Sequence, residues 1–380
     1  MSSKTKLFIV GYFMPSWVAS LLMWGDDRTS SGFEIAPPWF YYAKFVLQVL
    51  AILLLFTPLK LRSRPSLIGL AMAGALILST FFATPMLEAE FILLNSSVQM
   101  GLLAVFLIFA QPSATLERSD LRLLFVLFSS GFLLQIILFV WFGRMPSHSI
   151  SDVFIRFNGI TNDSLSASLL LPLLVPWAVR TSYGLIKAGT LISVSILTGS
   201  LFGAIFVPMI TLVYAIYCRL YRFAATLIVG MIVAASYLYN VFAAFIELKF
   251  LSILTHLRFI LNLIGAEYQQ PSTSCSEEFC ESFLEAGFYL SPIYMMLVYA
   301  VLLRFIVPLM RSNQPESADS LIRDTLRVFG ISLIVASFVH PVPLIPFAIP
   351  LFLILTSLNL GTQGLKRATA ACGRRTRAYS

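Results

Sequence analysis

Residues 187–222 read KAGTLISVSILTGSLFGAIFVPMITLVYAIYCRLYR, and how this stretch is divided decides the fold. Two apolar runs, 188–199 and 202–218, meet at Thr198-Gly199-Ser200. Taken as one long kinked helix, they would carry Arg219 and Arg222 to the side opposite Arg180 and Lys187. Taken as two helices, all four basic residues share a side. Lys and Arg in short loops concentrate on the cytoplasmic face of a membrane protein. The two-span reading satisfies that rule and the one-span reading violates it there and at every later loop.

Apolar stretches continue in both directions from this pair. A span needs about 20 mostly apolar residues to cross a hydrocarbon core of about 30 Å. Twelve candidates lie near 7–24, 39–57, 67–84, 92–110, 123–142, 166–179, 188–199, 202–218, 223–242, 288–310, 328–340 and 344–361. With both termini cytoplasmic, 20 of the 26 Lys and Arg residues fall in inner segments. They run from Lys4, Lys6, Lys60, Arg62 and Arg64 through Arg118, Arg122, Arg180, Lys187, Arg219, Arg222, Arg304, Arg311, Arg323 and Arg327 to the tail beyond Lys366. The outer side keeps Arg28, Lys44, Arg144, Arg156, Lys249 and Arg258, together with carboxylates that include Asp26, Asp27, Glu34, Glu88, Glu90, Glu277, Glu278, Glu281 and Glu285. The expected fold is an all-α polytopic membrane protein of about 12 transmembrane helices. It forms a single integral domain over 1–380 in the inner membrane.

Composition agrees. The chain is 58% hydrophobic and 12% charged, with a mean hydropathy of +0.87, whereas soluble domains carry roughly 25% charged residues. The net charge of +8 is accounted for by the cytoplasmic loops and by a basic tail, Lys366 to Arg377, facing anionic membrane lipid. It calls for no nucleic acid. The first span follows a short basic start like that of a signal peptide, but lacks a small-x-small cleavage site and is expected to remain as an anchor.

Four cysteines divide by side. Cys218 and Cys372 face the reducing cytoplasm. Cys275 and Cys280 share an outer loop, where an oxidising compartment permits a bridge; two free thiols are the other reading. One Cys pair without neighbouring His or Cys is a poor zinc site. No metal or cofactor is expected. No phosphate-cradling glycine loop, HExxH or GxSxG motif is present.

Two outer loops are long. The first, about 143–165, holds Arg156-Phe157-Asn158-Gly159 and then Asn162-Asp163. The second, 243–287, contains apolar residues at spacings of three and four through Phe250, Leu254, Leu257 and Leu261. That pattern predicts an amphipathic helix on the membrane surface, with His256 and Arg258 inside it and Tyr268 following. Loops of this length in a compact protein usually carry function.

The order of these features resembles the O-antigen polymerase and O-antigen ligase superfamily of bacterial envelopes. The resemblance runs over about residues 90–360, mostly as topology. Arg156-x-x-Gly159 followed by Asn162-Asp163 is similar to that family's first outer-loop signature. Thr198-Gly199-Ser200-Leu201 looks like its Thr-x-Ser-Arg turn with the Arg lost, and His340-Pro341 before the last span also has counterparts there. Where ligases carry a His ahead of the glycine that opens the next span, this chain has Glu277 and Glu278, which leans towards a polymerase.

The resemblance implies transfer of a glycan from undecaprenyl diphosphate to an acceptor sugar at the periplasmic face. A flippase and a chain-length regulator are the implied protein partners. Charge builds on a diphosphate leaving group, and guanidinium forks suit it; Arg156 and Arg258 are placed for that role. A carboxylate can take the acceptor hydroxyl proton, and Glu278, Glu277 and Glu285 are the candidates. Asn158, Gly159, Asn162, Asp163, Ser200, His256 and Tyr268 are candidate substrate contacts. The competing reading is a ligase-like transferase or a transporter of lipid-linked oligosaccharide. A transporter would place ionisable residues at mid-span and show two similar halves, and neither is seen in the sequence. A non-enzymatic scaffold is the third.

Overall fold

A computed structural model of the chain describes residues 3–22, 38–62, 65–83, 96–142, 149–151, 154–155, 157, 159–161, 164–200, 202–233, 236, 292–311, 319–337 and 348–359. Of these, 85% are helical. The helices are α1 (Ser3–Leu22), α2 (Pro38–Leu54), α3 (Leu67–Ala83), α4 (Ser96–Phe109), α5 (Arg118–Phe142), α6 (Ser164–Leu170), α7 (Val175–Arg180) and α8 (Gly184–Leu197). After them come α9 (Val207–Tyr217), α10 (Tyr221–Val233), α11 (Pro292–Arg311), α12 (Asp319–Ser337) and α13 (Ala348–Asn359). A 3₁₀ turn, Leu171–Leu174, joins α6 to α7, and a π turn, Phe202–Phe206, leads into α9. Two small antiparallel ladders complete the elements, β1 (Lys60–Leu61) with β2 (Ala110–Gln111) and β3 (Ser149–Ser151) with β4 (Phe154–Ile155).

Each of the twelve stretches expected to span contains a described helix. Two boundaries differ. α5 starts at Arg118 rather than near 123, because the Glu117 N–H donates to the Asp120 carboxylate at 2.8 Å and closes the first turn. α12 starts at Asp319 rather than near 328. Arg323 and Arg327, expected in an inner loop, therefore sit in its first turns. Among the described residues, one helix, Arg118–Trp141, is long and apolar enough by itself to cross a membrane. In the structure 28% of its most apolar window is buried.

The apparent join between 188–199 and 202–218 is a break. α8 ends at Leu197, and Gly199 takes a left-handed φ of +61°. Its N–H bonds to the Ile196 carbonyl at 2.9 Å, half of a Schellman closure. The other half runs through a side chain: the Ser200 N–H donates to Thr198 Oγ1 at 3.3 Å, and that hydroxyl donates to the Ser195 carbonyl at 2.7 Å. The turn between α9 and α10 closes with both backbone bonds, Arg219 N–H to Ile216 and Leu220 N–H to Ala215, each at 2.9 Å.

α6, the 3₁₀ turn and α7 form a central rod. Residues 166–179 are buried throughout, as a helix apolar on every side should be. Pro172 and Pro176 each fall in the first turn of a new helical segment, where a missing N–H costs nothing. α13 is buried along its whole length and meets α12 through Phe352 against Phe329, ring centroids 5.9 Å apart. α1 packs on α2 and α5, α3 on α4 and α11, and α12 on α7 and α11. The outward faces are apolar as well. Val126, Leu133, Ile137 and Val140 make one exposed stripe on α5; Ile228, Val229, Ile232 and Val233 make another on α10.

One end of the bundle is basic. Lys4 Nζ donates to the Thr57 carbonyl and, at 3.3 Å, to Ser113 Oγ. Arg62 bonds through its backbone N–H to Phe109 at 2.8 Å and through Nε to Ala110 at 3.3 Å. Burial and the nearby Arg304 charge both lower the Arg62 pKa. Lys187 lies within electrostatic reach of Arg122. Arg180 and Arg327 meet Asp324 at 3.0 and 3.5 Å. Basic residues from several of the segments that the spacing assigned to one side are thus neighbours.

Candidate functional site

The polar chemistry away from the basic end is built from three segments that are distant in sequence. α7 and α8 are joined by the three-residue turn 181–183 and pack on each other, an αα-hairpin. Arg180 and Lys187 are therefore at one end of the hairpin and Thr198 at the other.

At that far end the loop after α5 folds back into the bundle. The Phe157 N–H donates to the Leu197 carbonyl, the last residue of α8, at 3.0 Å. The Phe157 ring is buried and meets Phe139 edge-on at 6.2 Å. Two residues later the Gly159 N–H donates to Gln135 Oε1 at 2.8 Å. Gln135 lies seven residues before the end of α5 at Phe142, about 10 Å along the helix axis. The loop is thus recessed well below the end of α5.

Glycines make the recess possible. Gly159 has φ +60°, and a Cβ there would sit 2.4 Å from the Phe132 ring. A Cβ on Gly131 would sit 2.5 Å from Ile160. Ile160 and Thr161 are buried in turn.

The second wall is the Thr198-Gly199-Ser200 turn with the start of α6. Ser168 Oγ donates to Ser200 Oγ at 3.3 Å, and the Ser200 carbonyl accepts the Ala204 N–H at 2.8 Å. Gly203 completes the fit, since a Cβ there would lie 2.8 Å from Thr198 Oγ1 and 3.0 Å from the Ser195 carbonyl. Ser168, Ser195, Thr198 and Ser200 are all buried. The π turn that follows widens the helix by one residue, a feature common beside functional sites.

Gln135 completes the set. Its side chain is 0% exposed, and its Nε2 has no hydrogen-bond partner among the described residues. Beside the same loop, a cavity of about 10 Å³ lies between Phe13, Met14, Trp17, Leu127, Ser130 and Ile160. The Trp17 indole N–H is also buried and has no partner among the described residues.

Of the residues singled out from sequence, Gly159 and Ser200 are described, and the structure brings their segments together. Both are buried, and both make hydrogen bonds within the protein. Arg156, Asn158, Asn162, Asp163, His256, Arg258, Tyr268, Glu278 and Glu285 lie outside the described residues. So do Cys275, Cys280 and the whole of loop 243–287. Among the described residues no group of three His, Cys, Asp or Glu could hold a metal ion. Sequence reasoning missed Gln135 and Trp17. Gln135 carried a signal: it is the one amide in the apolar run 123–142, and polar side chains inside spans are functional candidates by default.

The basic end is organised differently. Asp324 receives Arg180 Nη1 at 3.0 Å and the Tyr214 hydroxyl at 3.2 Å, while Arg180 Nη2 also donates to Ser320 at 3.3 Å. Arg327 donates through Nε to the Leu309 carbonyl at 2.8 Å. Lys187 Nζ sits 4.4 Å from the centre of the Trp177 ring and donates to Thr181 Oγ1 at 2.7 Å. Arg180, Lys187, Asp324 and Arg327 each have a partner on another helix, which is the pattern of a scaffold. Compared with family models, with curated proteins and with solved structures, the chain matches none.

Proposed function

We propose that this chain is a polytopic inner-membrane polymerase of lipid-linked oligosaccharide repeats. It transfers a glycan from undecaprenyl diphosphate to an acceptor sugar at the periplasmic face, in the synthesis of a surface polysaccharide. The observation that carries this reading is the bond from Phe157 to Leu197. It ties the segment holding Arg156-Phe157-Asn158-Gly159 to the Thr198-Gly199-Ser200 turn, at the end of the bundle away from the basic residues. Those two motifs are the ones that resemble the O-antigen polymerase and ligase superfamily.

Membrane physics supports the location. The exposed apolar stripes of α5 and α10 would be costly in water and are what lipid-facing helices present. α8 has 14 residues, about 21 Å at 1.5 Å per residue, against a hydrocarbon core of about 30 Å. A helix that starts at the inner surface therefore ends short of the outer one. Irregular backbone at such depth is tolerated only where it is buried in protein or lines a cavity; Phe157, Gly159, Ile160 and Thr161 are so buried. The result is a recessed polar floor reached from the outer leaflet.

In this reading Arg156 and Arg258 bind the diphosphate, whose charge grows as the glycosidic bond to it breaks. Glu278 or Glu285 takes the acceptor hydroxyl proton. No metal is required if the guanidinium forks supply the positive charge. Removing the chain from cells tests the proposal. Single lipid-linked repeats should accumulate at the outer leaflet, with long polysaccharide absent. Repeats retained at the inner leaflet would indicate a transporter, and long glycan left unattached to its acceptor would indicate a ligase.

A further inference from the structure

The recessed loop has a donor imbalance. Gln135 uses its one side-chain acceptor on the Gly159 N–H at 2.8 Å, and its two N–H donors meet nothing among the described residues. The side chain is 0% exposed, so bulk water does not satisfy it. A buried unmatched amide is costly, and a native protein that keeps one usually has a reason for it. The Trp17 indole N–H is a second buried donor without a partner among the described residues. Trp17 and Ile160 line one cavity of about 10 Å³, the space of roughly one water oxygen. Ser130, the other polar residue there, already donates to the Leu127 carbonyl at 3.1 Å. Both unmatched groups are donors, so what complements each of them is an acceptor such as an oxygen.

We infer that Gln135 and Trp17 are substrate-binding residues. Each of the two N–H groups donates to an oxygen of the diphosphate–sugar head of the lipid-linked glycan when it engages the loop at Gly159. The inference rests on the polymerase reading and extends it to residues on α1 and α5 that carry none of the resembling motifs. Gln135 has two separate roles. Its oxygen holds the loop at Gly159, and its nitrogen serves the ligand.

Those roles separate experimentally. Gln135→Glu keeps an oxygen for the Gly159 N–H and, when ionised, removes the donors. Gln135→Leu removes both. Trp17→Phe keeps most of the ring and removes the second donor. Full-length protein in detergent is assayed for elongation of undecaprenyl-diphosphate-linked repeat extracted from cells lacking the chain. Hydrogen exchange over residues 149–161 reports on the loop. The expected result for Gln135→Glu is at least a tenfold loss of rate at pH 8, with loop exchange unchanged and partial recovery at pH 5.5 as the introduced carboxyl regains a proton. Trp17→Phe should lose at least threefold with the same loop protection.

Binding of undecaprenyl diphosphate and of the repeat-bearing lipid then locates the oxygen. Weakening of both places it on the diphosphate, and weakening of the repeat-bearing lipid alone places it on the sugar. Gln135→Glu and Trp17→Phe proteins that elongate and bind like wild type at every pH would overturn the inference while leaving the polymerase intact. Wild-type protein that elongates nothing would overturn the function on which it rests.

Discussion

The Phe157 N–H and the Leu197 carbonyl lie 3.0 Å apart, joining two segments forty residues apart in sequence. On one side of this bond Gly159 reaches Gln135, and on the other Thr198 begins the hydroxyl-closed turn to Ser200. The bond makes one recessed floor out of two loops, and the predictions begin from it.

Gly159→Ala should dislodge that floor. An L side chain at φ +60° costs about 1–3 kcal/mol in strain, and its Cβ would stand 2.4 Å from the Phe132 ring. Faster hydrogen exchange over 149–161, with at least tenfold slower elongation, is the expected outcome. Wild-type exchange in Gly159→Ala would mean that the loop does not need its left-handed residue.

Asp324→Asn should act on stability and not on chemistry. It weakens the ion pairs to Arg180 and Arg327, which lie at the basic end and are partly exposed, so a loss of about 1 kcal/mol is expected. The detergent melting temperature should drop by a few degrees while the glycan length distribution stays as in wild type. A changed length distribution at normal protein level would give the basic end a role in transfer.

Much of this architecture could be read from spacing. Charge alone separated 188–199 from 202–218, because Arg219 and Arg222 had to rejoin Arg180 and Lys187. What spacing could not give was depth. A loop between two spans reads as a surface connection, and nothing in Phe157 or Gly159 announces a fold back by two helical turns. That depends on Gly131 and Phe132, which belong to another helix. The extra turns at the start of α12 were hidden for a related reason. Arg323, Asp324 and Arg327 look like loop charges until Arg180 and the Leu309 carbonyl supply partners from neighbouring helices. Gln135 is legible only as an isolated amide in an apolar run, which carries no motif.

Topology is checked with reporter fusions after Ser272 and after Arg374. The expected signals are periplasmic and cytoplasmic respectively, following the 20 of 26 basic residues assigned to inner segments. A cytoplasmic signal at Ser272 would reverse the orientation and remove the proposed site from the face where lipid-linked repeats are polymerised.

Replacing Cys275 and Cys280 together with Ser should leave glycan assembly largely intact, because a structural bridge or two free thiols is the role assigned to the pair. Zinc at near-equal stoichiometry in purified wild-type protein, lost in the double variant, would contradict this.

The central claim is transfer between lipid-linked repeats, with Arg156 and Arg258 on the diphosphate. Its most direct measurement uses purified protein in liposomes supplied only with undecaprenyl-diphosphate-linked repeat, products being resolved by length. A ladder of lengthening lipid-linked glycans is the expected product. Losing a donor aimed at transition-state charge typically costs about 3 kcal/mol, so Arg156→Ala should slow the ladder roughly a hundredfold. Arg156→Lys, which keeps the charge and loses the fork, should be nearly as slow. Failure of the wild-type protein to lengthen the repeat, or a ladder formed at the wild-type rate by both Arg156→Ala and Arg258→Ala, would contradict it.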